Sequence, residues 1–166
     1  MRVFQRTIRF RPVARIGKIT LLAATLFATT FPQTSQAQTE VSFQSEPLIV
    51  GNDRGGLLLE RLRQLTRLSR ESRPVQIRGN ICFSTCTMYI GLPNTCVLPT
   101  TTFGFHGPSS HGRALSPATF DQASSIIADH YPPALREWYM ETGRYRVNNM
   151  YRISGQNLIN MGVRSC

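Results

Sequence analysis

Ser84 and His106 are the residues of this chain whose types and settings could carry covalent chemistry. Ser84 sits in Arg78-Gly79-Asn80-Ile81-Cys82-Phe83-Ser84-Thr85-Cys86-Thr87, where a short apolar run meets a turn of small residues. His106 lies 22 residues further on and closes a second apolar run, Phe103-Gly104-Phe105-His106-Gly107-Pro108. A serine hydroxyl attacks a carbonyl only when a neighbouring base takes its proton, and a sharp strand-to-helix turn aims its oxygen outward. The chemistry this pair could do is therefore acyl transfer, with a nucleophile and its base. The same spacing also fits a buried turn serine and a strand-end histidine with packing roles only. His111 is an alternative base, but its loop, Gly107-Pro108-Ser109-Ser110-His111-Gly112, is poorly suited to fixing a ring.

The four cysteines, Cys82, Cys86, Cys96 and Cys166, frame this region. Cys82 and Cys86 flank Ser84 symmetrically, so a bridge between them would staple the turn. A Cys82–Cys96 bridge across neighbouring strands is the competing pairing. Four cysteines permit three connectivities, and the sequence does not choose among them. Zinc on Cys82-x3-Cys86 lacks a nearby second pair of ligands. No metal or organic cofactor is implied.

The elements that must position these residues follow from periodicity and punctuation. Pro47-Leu48-Ile49-Val50 reads as a strand, and Gly51 to Gly56 as a turn. Leu57 to Ser69 reads as an amphipathic helix, with Leu58, Leu62, Leu65 and Leu68 as its stripe. Arg61, Arg63, Arg67 and Arg70 then form a solvated face. Backbone N–H groups at the Gly55-Gly56 junction are free to hold an anion. Val75-Gln76-Ile77, Cys96 to Pro99 and Thr101 to His106 read as strands, and Thr85 to Ile90 as a short helix or turn-rich run. Ser116-Pro117 starts a helix with Phe120, Ala123 and Ile127 inward. Ala134 to Thr142 and Gln156 to Met161 are the last two helices, the first burying Leu135, Trp138 and Tyr139. Strands alternating with helices indicate an α/β chain with a mainly parallel sheet.

The first 37 residues read as a secretory signal rather than as part of the fold. Arg2, Arg6, Arg9, Arg11, Arg15 and Lys18 form a basic region without acids. Ile19 to Phe31 is a 13-residue run of apolar, Ala and Thr residues, and Ser35-Gln36-Ala37 places small residues before a cleavage site. The run is short for a membrane span. An uncleaved anchor is the rival reading, and it is the chain's only membrane contact. Residues 38–166 form one domain of 129 residues, after a polar lead-in that ends near Ser45. Six of the 19 basic residues leave with the signal, whereas all nine acids stay, so the mature net charge is +4 rather than +10. That value does not imply a nucleic-acid partner. Export favours disulfides over thiols.

The combined motifs resemble the Clp-protease/crotonase superfamily, in particular exported proteins similar to the proteolytic subunit of the Clp protease. Val50-Gly51-Asn52-Asp53-Arg54-Gly55-Gly56 before a helix is similar to that family's strand, Ser-Pro-Gly-Gly turn and helix. Cys82-Phe83-Ser84-Thr85-Cys86 is similar to the turn bearing the serine nucleophile. Cys96-Val97-Leu98-Pro99 resembles the next strand, and Phe105-His106-Gly107-Pro108 the strand carrying the catalytic histidine. Trp138 to Gly143 and Ile153 to Val163 resemble the closing elements. The resemblance implies Ser84 as nucleophile, His106 as base, and an oxyanion hole near Gly56, Leu57 and Thr85. It implies a peptide or another acyl compound as substrate.

Three departures accompany the resemblance. The segment expected to carry the triad Asp, Gly143 to Met150, has no carboxylate, so Asn148 or Asn149 is the available third member. Asp53-Arg54 replaces Ser-Pro. Gln38 to Pro47 is too short for the family's first strand-and-helix unit. The sheet is then incomplete at that edge, covered by a partner or by another subunit of a homo-oligomer, or the gene product is abbreviated. A protein that keeps the fold but not the triad would bind or assemble without catalysis. A crotonase-like acyl-thioester site needs no serine, but coenzyme A is cytoplasmic and export argues against it.

Cleavage after Ala37 predicts a mature chain beginning at Gln38. N-terminal sequencing or intact mass of the exported protein checks it, and full-length chain in the membrane fraction would contradict it.

Overall fold

The computed structural model describes residues 46–166. The signal and cleavage site expected within 1–37, and the polar lead-in as far as Ser45, lie outside these residues. The apolar runs become β1 (Leu48–Val50), β2 (Val75–Ile77), β3 (Ile81–Phe83), β4 (Thr95–Val97), β5 (Thr102–Phe105) and β6 (Tyr151–Ser154). The helices are α1 (Leu58–Arg70), α2 (Pro117–Ala128), α3 (Pro133–Glu141) and α4 (Gly155–Asn160). The run after Ser84 is a 3-10 helix, Ser84–Gly91.

The α/β class is as expected, but the strands form two three-stranded sheets rather than one. The first is parallel throughout, in the order β1-β2-β4. The second has the order β3-β5-β6, with β5 parallel to β3 and antiparallel to β6. An isolated parallel bridge pairs Asp53 with Cys82, so the chain beyond β1 also reaches the second sheet. Three neighbouring stretches, 48–53, 75–83 and 95–105, thus pass from one sheet to the other around one corner.

Close backbone approach and side-chain hydrogen bonds build that corner. Gly79 lies so near the Gly51 backbone that no Cβ fits. The Asn80 N–H donates to Asn52 Oδ1 at 2.7 Å, and Thr101 Oγ1 donates to the Gly79 carbonyl at 2.6 Å. These side chains satisfy backbone groups that the interrupted ladders leave open. The corner cannot be read from strand periodicity, which is why a single sheet was expected.

Helix α1 buries Leu65 and Leu68 in the core and packs against the 3-10 helix, with Leu58 and Leu62 half-buried. Arg61 departs from the solvated face expected for it. It is only 8% exposed, its guanidinium is 2.6 Å from Asp53 Oδ2, and it lies 4.4 Å from the centre of the Tyr89 ring. A long apolar stem and a planar cation let Arg fill such a position when a carboxylate faces it. Helix α2 starts as its sequence indicates, with Ser116 Oγ accepting from the Thr119 N–H at 3.3 Å and Pro117 in the first turn. Its buried face is Ser124, Ile127 and Ala128. In α3, Leu135 and Tyr139 are fully buried and Trp138 is half-buried. No helix among the described residues is long and apolar enough to cross a membrane.

The cysteines pair as Cys82–Cys86 and Cys96–Cys166. The first is the staple considered above, and the Cys82–Cys96 alternative is not formed. The second ties the C-terminus to β4, where Val97 accepts from the Cys166 N–H and donates to the Arg164 carbonyl, both at 3.0 Å. The tail therefore covers the β4 edge. At the other edge stands β1, with Ile49 52% exposed.

Peptide mapping without reduction is expected to find both pairs. The Cys96–Cys166 bridge closes a loop of sequence separation 70. Loop closure of that length contributes about 4 kcal/mol, against about 2 for a bridge of four residues. The double variant Cys96→Ser/Cys166→Ser should therefore melt about 10 °C lower, a shift that calorimetry reads directly.

Candidate active site

Ser84 is where β3 gives way to the 3-10 helix, and it adopts φ 57°, in the left-handed region. A non-glycine residue there carries about 1–2 kcal/mol of strain, which the surroundings must offset. Three contacts do so. The Cys82–Cys86 bridge brackets the turn with a Cα–Cα distance of 5.3 Å. Thr87 Oγ1 donates to the Ser84 carbonyl at 2.7 Å. Because the single Thr87 hydroxyl proton is used there, the Tyr131 hydroxyl donates to Thr87 Oγ1, at 2.6 Å. Burial raises the Tyr131 phenol far above its ordinary value, with the nearby Tyr139 adding to it, so it stays a protonated donor.

The Gly55 loop supplies the third contact. Gly55 has φ 92°, and a Cβ placed on it would come 2.5 Å from the Ser84 Cβ and 3.0 Å from its Oγ. Only glycine allows both that conformation and that approach. Asp53 holds the loop in place. Its Oδ1 accepts from the Gly55 N–H at 2.7 Å, its Oδ2 pairs with Arg61, and its carbonyl accepts from the Phe83 N–H at 2.8 Å. Asp53 in place of the expected Ser therefore connects the loop, α1 and the Ser84 strand.

Gly56, Leu57 and Thr85 line the same cavity as Ser84 and His106, a space of about 380 Å³. Among the described residues, the Gly56 and Leu57 N–H groups donate to no protein acceptor. Leu57 also caps α1 without a side-chain bond, so the first N–H groups of the helix are left without a side-chain acceptor there. The Thr85 hydroxyl donates to the Gly56 carbonyl at 3.4 Å, tying the two strips of backbone together. Free N–H groups beside a reacting carbonyl are the geometry needed to stabilise an oxyanion. Among the described residues, no Asp, Glu, Lys or Arg lines the cavity.

His106 directly follows β5, and its Nδ1 lies 2.7 Å from the Gly107 carbonyl oxygen. A carbonyl can only accept, so Nδ1 carries a proton, and the neutral tautomer that this bond selects has its lone pair at Nε2. The direct Ser84–His106 hydrogen bond expected of the pair is not formed, and Ser84 Oγ has no partner among the described residues. Asn148 and Asn149 are exposed. Neither bonds to the ring, and the Asn149 oxygen instead accepts from the Met150 N–H at 2.8 Å. His111 lines the cavity but is exposed on its loop, with φ 51°.

The sequence reading did not single out Gly55 as the residue touching Ser84, nor Thr87, Tyr131 and Gly107. Only the Gly55-Gly56 doublet signalled any of them, because Tyr131 acts through a partner distant in sequence, and Thr87 and Gly107 act on or through backbone carbonyls, which carry no residue-type signal. No protein-family model and no curated protein matches the chain.

Two substitutions should move stability in opposite directions. Gly55→Ala forces a Cβ into Ser84 at positive φ and should cost about 2 kcal/mol or more. Ser84→Gly relieves the left-handed strain and should stabilise by about 1 kcal/mol. Urea unfolding of both variants checks the signs.

Proposed function

We propose that this protein is an exported serine hydrolase of the Clp-protease/crotonase type, acting on a peptide or another acyl compound. The observation that carries this reading is the strained Ser84 on the wall of a cavity it shares with His106. Strained non-glycine residues concentrate where a side chain must be presented for work. The His106 tautomer, with a basic Nε2, and the free N–H groups of Gly56 and Leu57 add the other two components of acyl transfer.

In the proposed reaction, Ser84 Oγ bonds to the substrate carbonyl carbon while its proton passes to His106 Nε2. The carbonyl π electrons move onto oxygen, which the backbone donors receive. The tetrahedral species then expels its leaving group, which takes the proton from Nε2 and leaves an acyl-Ser84 ester. Water, deprotonated by the same nitrogen, repeats the sequence and regenerates Ser84. Hydrogen bonds of such pairs are often loose without substrate and tighten when it binds. Two disulfides accord with an oxidising, extracytoplasmic location.

A non-catalytic binding or assembly role is the second reading. The absence of a Ser84–His106 bond and of a carboxylate at the ring favours it. The two readings part on one experiment. A fluorophosphonate probe should label the mature protein, Ser84→Ala should abolish labelling, and His106→Ala should slow it by about 10²–10⁴. A folded wild-type protein that stays unlabelled would establish the second reading.

A further inference from the structure

We propose that the backbone carbonyl of Gly107 is the third member of the His106 site, and that Tyr139, Arg144 and Asp121 are its positioning residues. This rests on the hydrolase reading above and replaces the side-chain third member, Asn148 or Asn149, with a main-chain group. The Nδ1–H to carbonyl bond of 2.7 Å joins His106 to the carbonyl of the residue that directly follows it. A bond between adjacent residues orients a ring only if the accepting residue is itself immobile.

Gly107 is buried and held from several sides. Its N–H donates to the Arg146 carbonyl at 2.9 Å. Its Cα abuts the Arg144 carbonyl so closely that no Cβ fits, and a Cβ there would also stand 2.9 Å from the Phe120 ring. The Tyr139 hydroxyl donates to the His106 carbonyl at 3.2 Å, so the His106–Gly107 peptide, which leads into the accepting carbonyl, is held at both ends. The Arg144 side chain anchors the opposing segment to α2. Its guanidinium donates to Asp121 Oδ1 at 2.8 Å and to the Tyr145 hydroxyl at 2.9 Å, and it lies 5.5 Å from the centre of the Phe120 ring. The segment expected to carry a triad carboxylate thus holds Gly107, the residue beside the histidine, through its carbonyls rather than through a side chain.

A carbonyl acceptor serves two of the three roles of a triad carboxylate. It selects the Nδ1–H tautomer and holds the ring plane. It bears no net charge, so it stabilises the imidazolium formed during proton transfer less than a carboxylate does. Gly107 supplies this group from the backbone, which no side-chain truncation removes.

The test uses the mature, disulfide-bonded protein labelled with 15N at histidine. Long-range 15N–1H correlation spectra, with the signal assigned by its loss in His106→Gln, report the neutral tautomer. Nδ1–H is expected in the wild type, and unchanged in Asn148→Ala and Asn149→Ala. Tyr139→Phe and Arg144→Ala should mix the tautomers and slow fluorophosphonate labelling of Ser84 about tenfold at saturating probe. Arg144→Lys should recover part of both losses. An Nε2–H tautomer in the wild type, or loss of Nδ1–H in Asn148→Ala, would overturn the proposal. So would Tyr139→Phe and Arg144→Ala that fold and leave the tautomer unmixed. The spectra read the ring whether or not Ser84 reacts, so an unlabelled protein with the Nδ1–H tautomer would sink the hydrolase reading alone.

Discussion

The left-handed backbone at Ser84 is the constraint on which the site depends. An L-residue does not rest there unaided, because its Cβ crowds the backbone. The chain surrounds this one turn with a disulfide, a threonine–tyrosine relay to its carbonyl, and a glycine with no Cβ to obstruct the serine. The disulfide and Thr87 lie within three residues of Ser84, whereas Gly55 and Tyr131 come from distant parts of the sequence. The turn is therefore held by the folded state, and strain held in that way favours one orientation of the side chain over a swivelling set.

The corner between the two sheets determines what can stand opposite Ser84. Because β2 and β3 are nearly continuous, as are β4 and β5, the ends of β3 and β5 open on the same side. That brings Ser84 and His106 to one cavity, with the start of α1 completing its wall. Asp53 links the three components, binding Gly55, Arg61 and Phe83 at once. A pair with side chains 9% and 21% exposed is sensitive to the loss of either partner, since a buried charge would remain without its counterpart. The acid that looked like a departure from the family turn is thus the hub of the loop, and the arginine that looked like helix surface is its partner.

The histidine side is built by a different device. Its environment comes from α3, α2 and the segment before β6, which converge on the Gly107 peptide. Asn148 and Asn149 were attractive because they occupy the stretch where a carboxylate was missing. They are exposed, and the ring meets the Gly107 carbonyl instead, while the main chain of that stretch holds Gly107. Main-chain contacts carry no residue-type signal, so the alternative had no means of appearing in the sequence.

By itself the sequence determined most of the local elements and their boundaries to within a residue or two, β6 being the one strand it left unassigned. The leucine stripe of α1, the Ser116-Pro117 start of α2 and the apolar strand runs all depend on neighbours three or four residues away, or on turn chemistry. It also marked Ser84, His106 and the Gly55-Gly56 turn as candidates, because chemistry-bearing residues beside small ones are visible as a pattern. Only the tertiary structure decided the division into two sheets, the burial of Arg61, the cysteine pairing and the partner of His106. Each of these depends on groups brought together from far apart in the chain, or on backbone atoms that every residue shares, and neither leaves a periodicity to read.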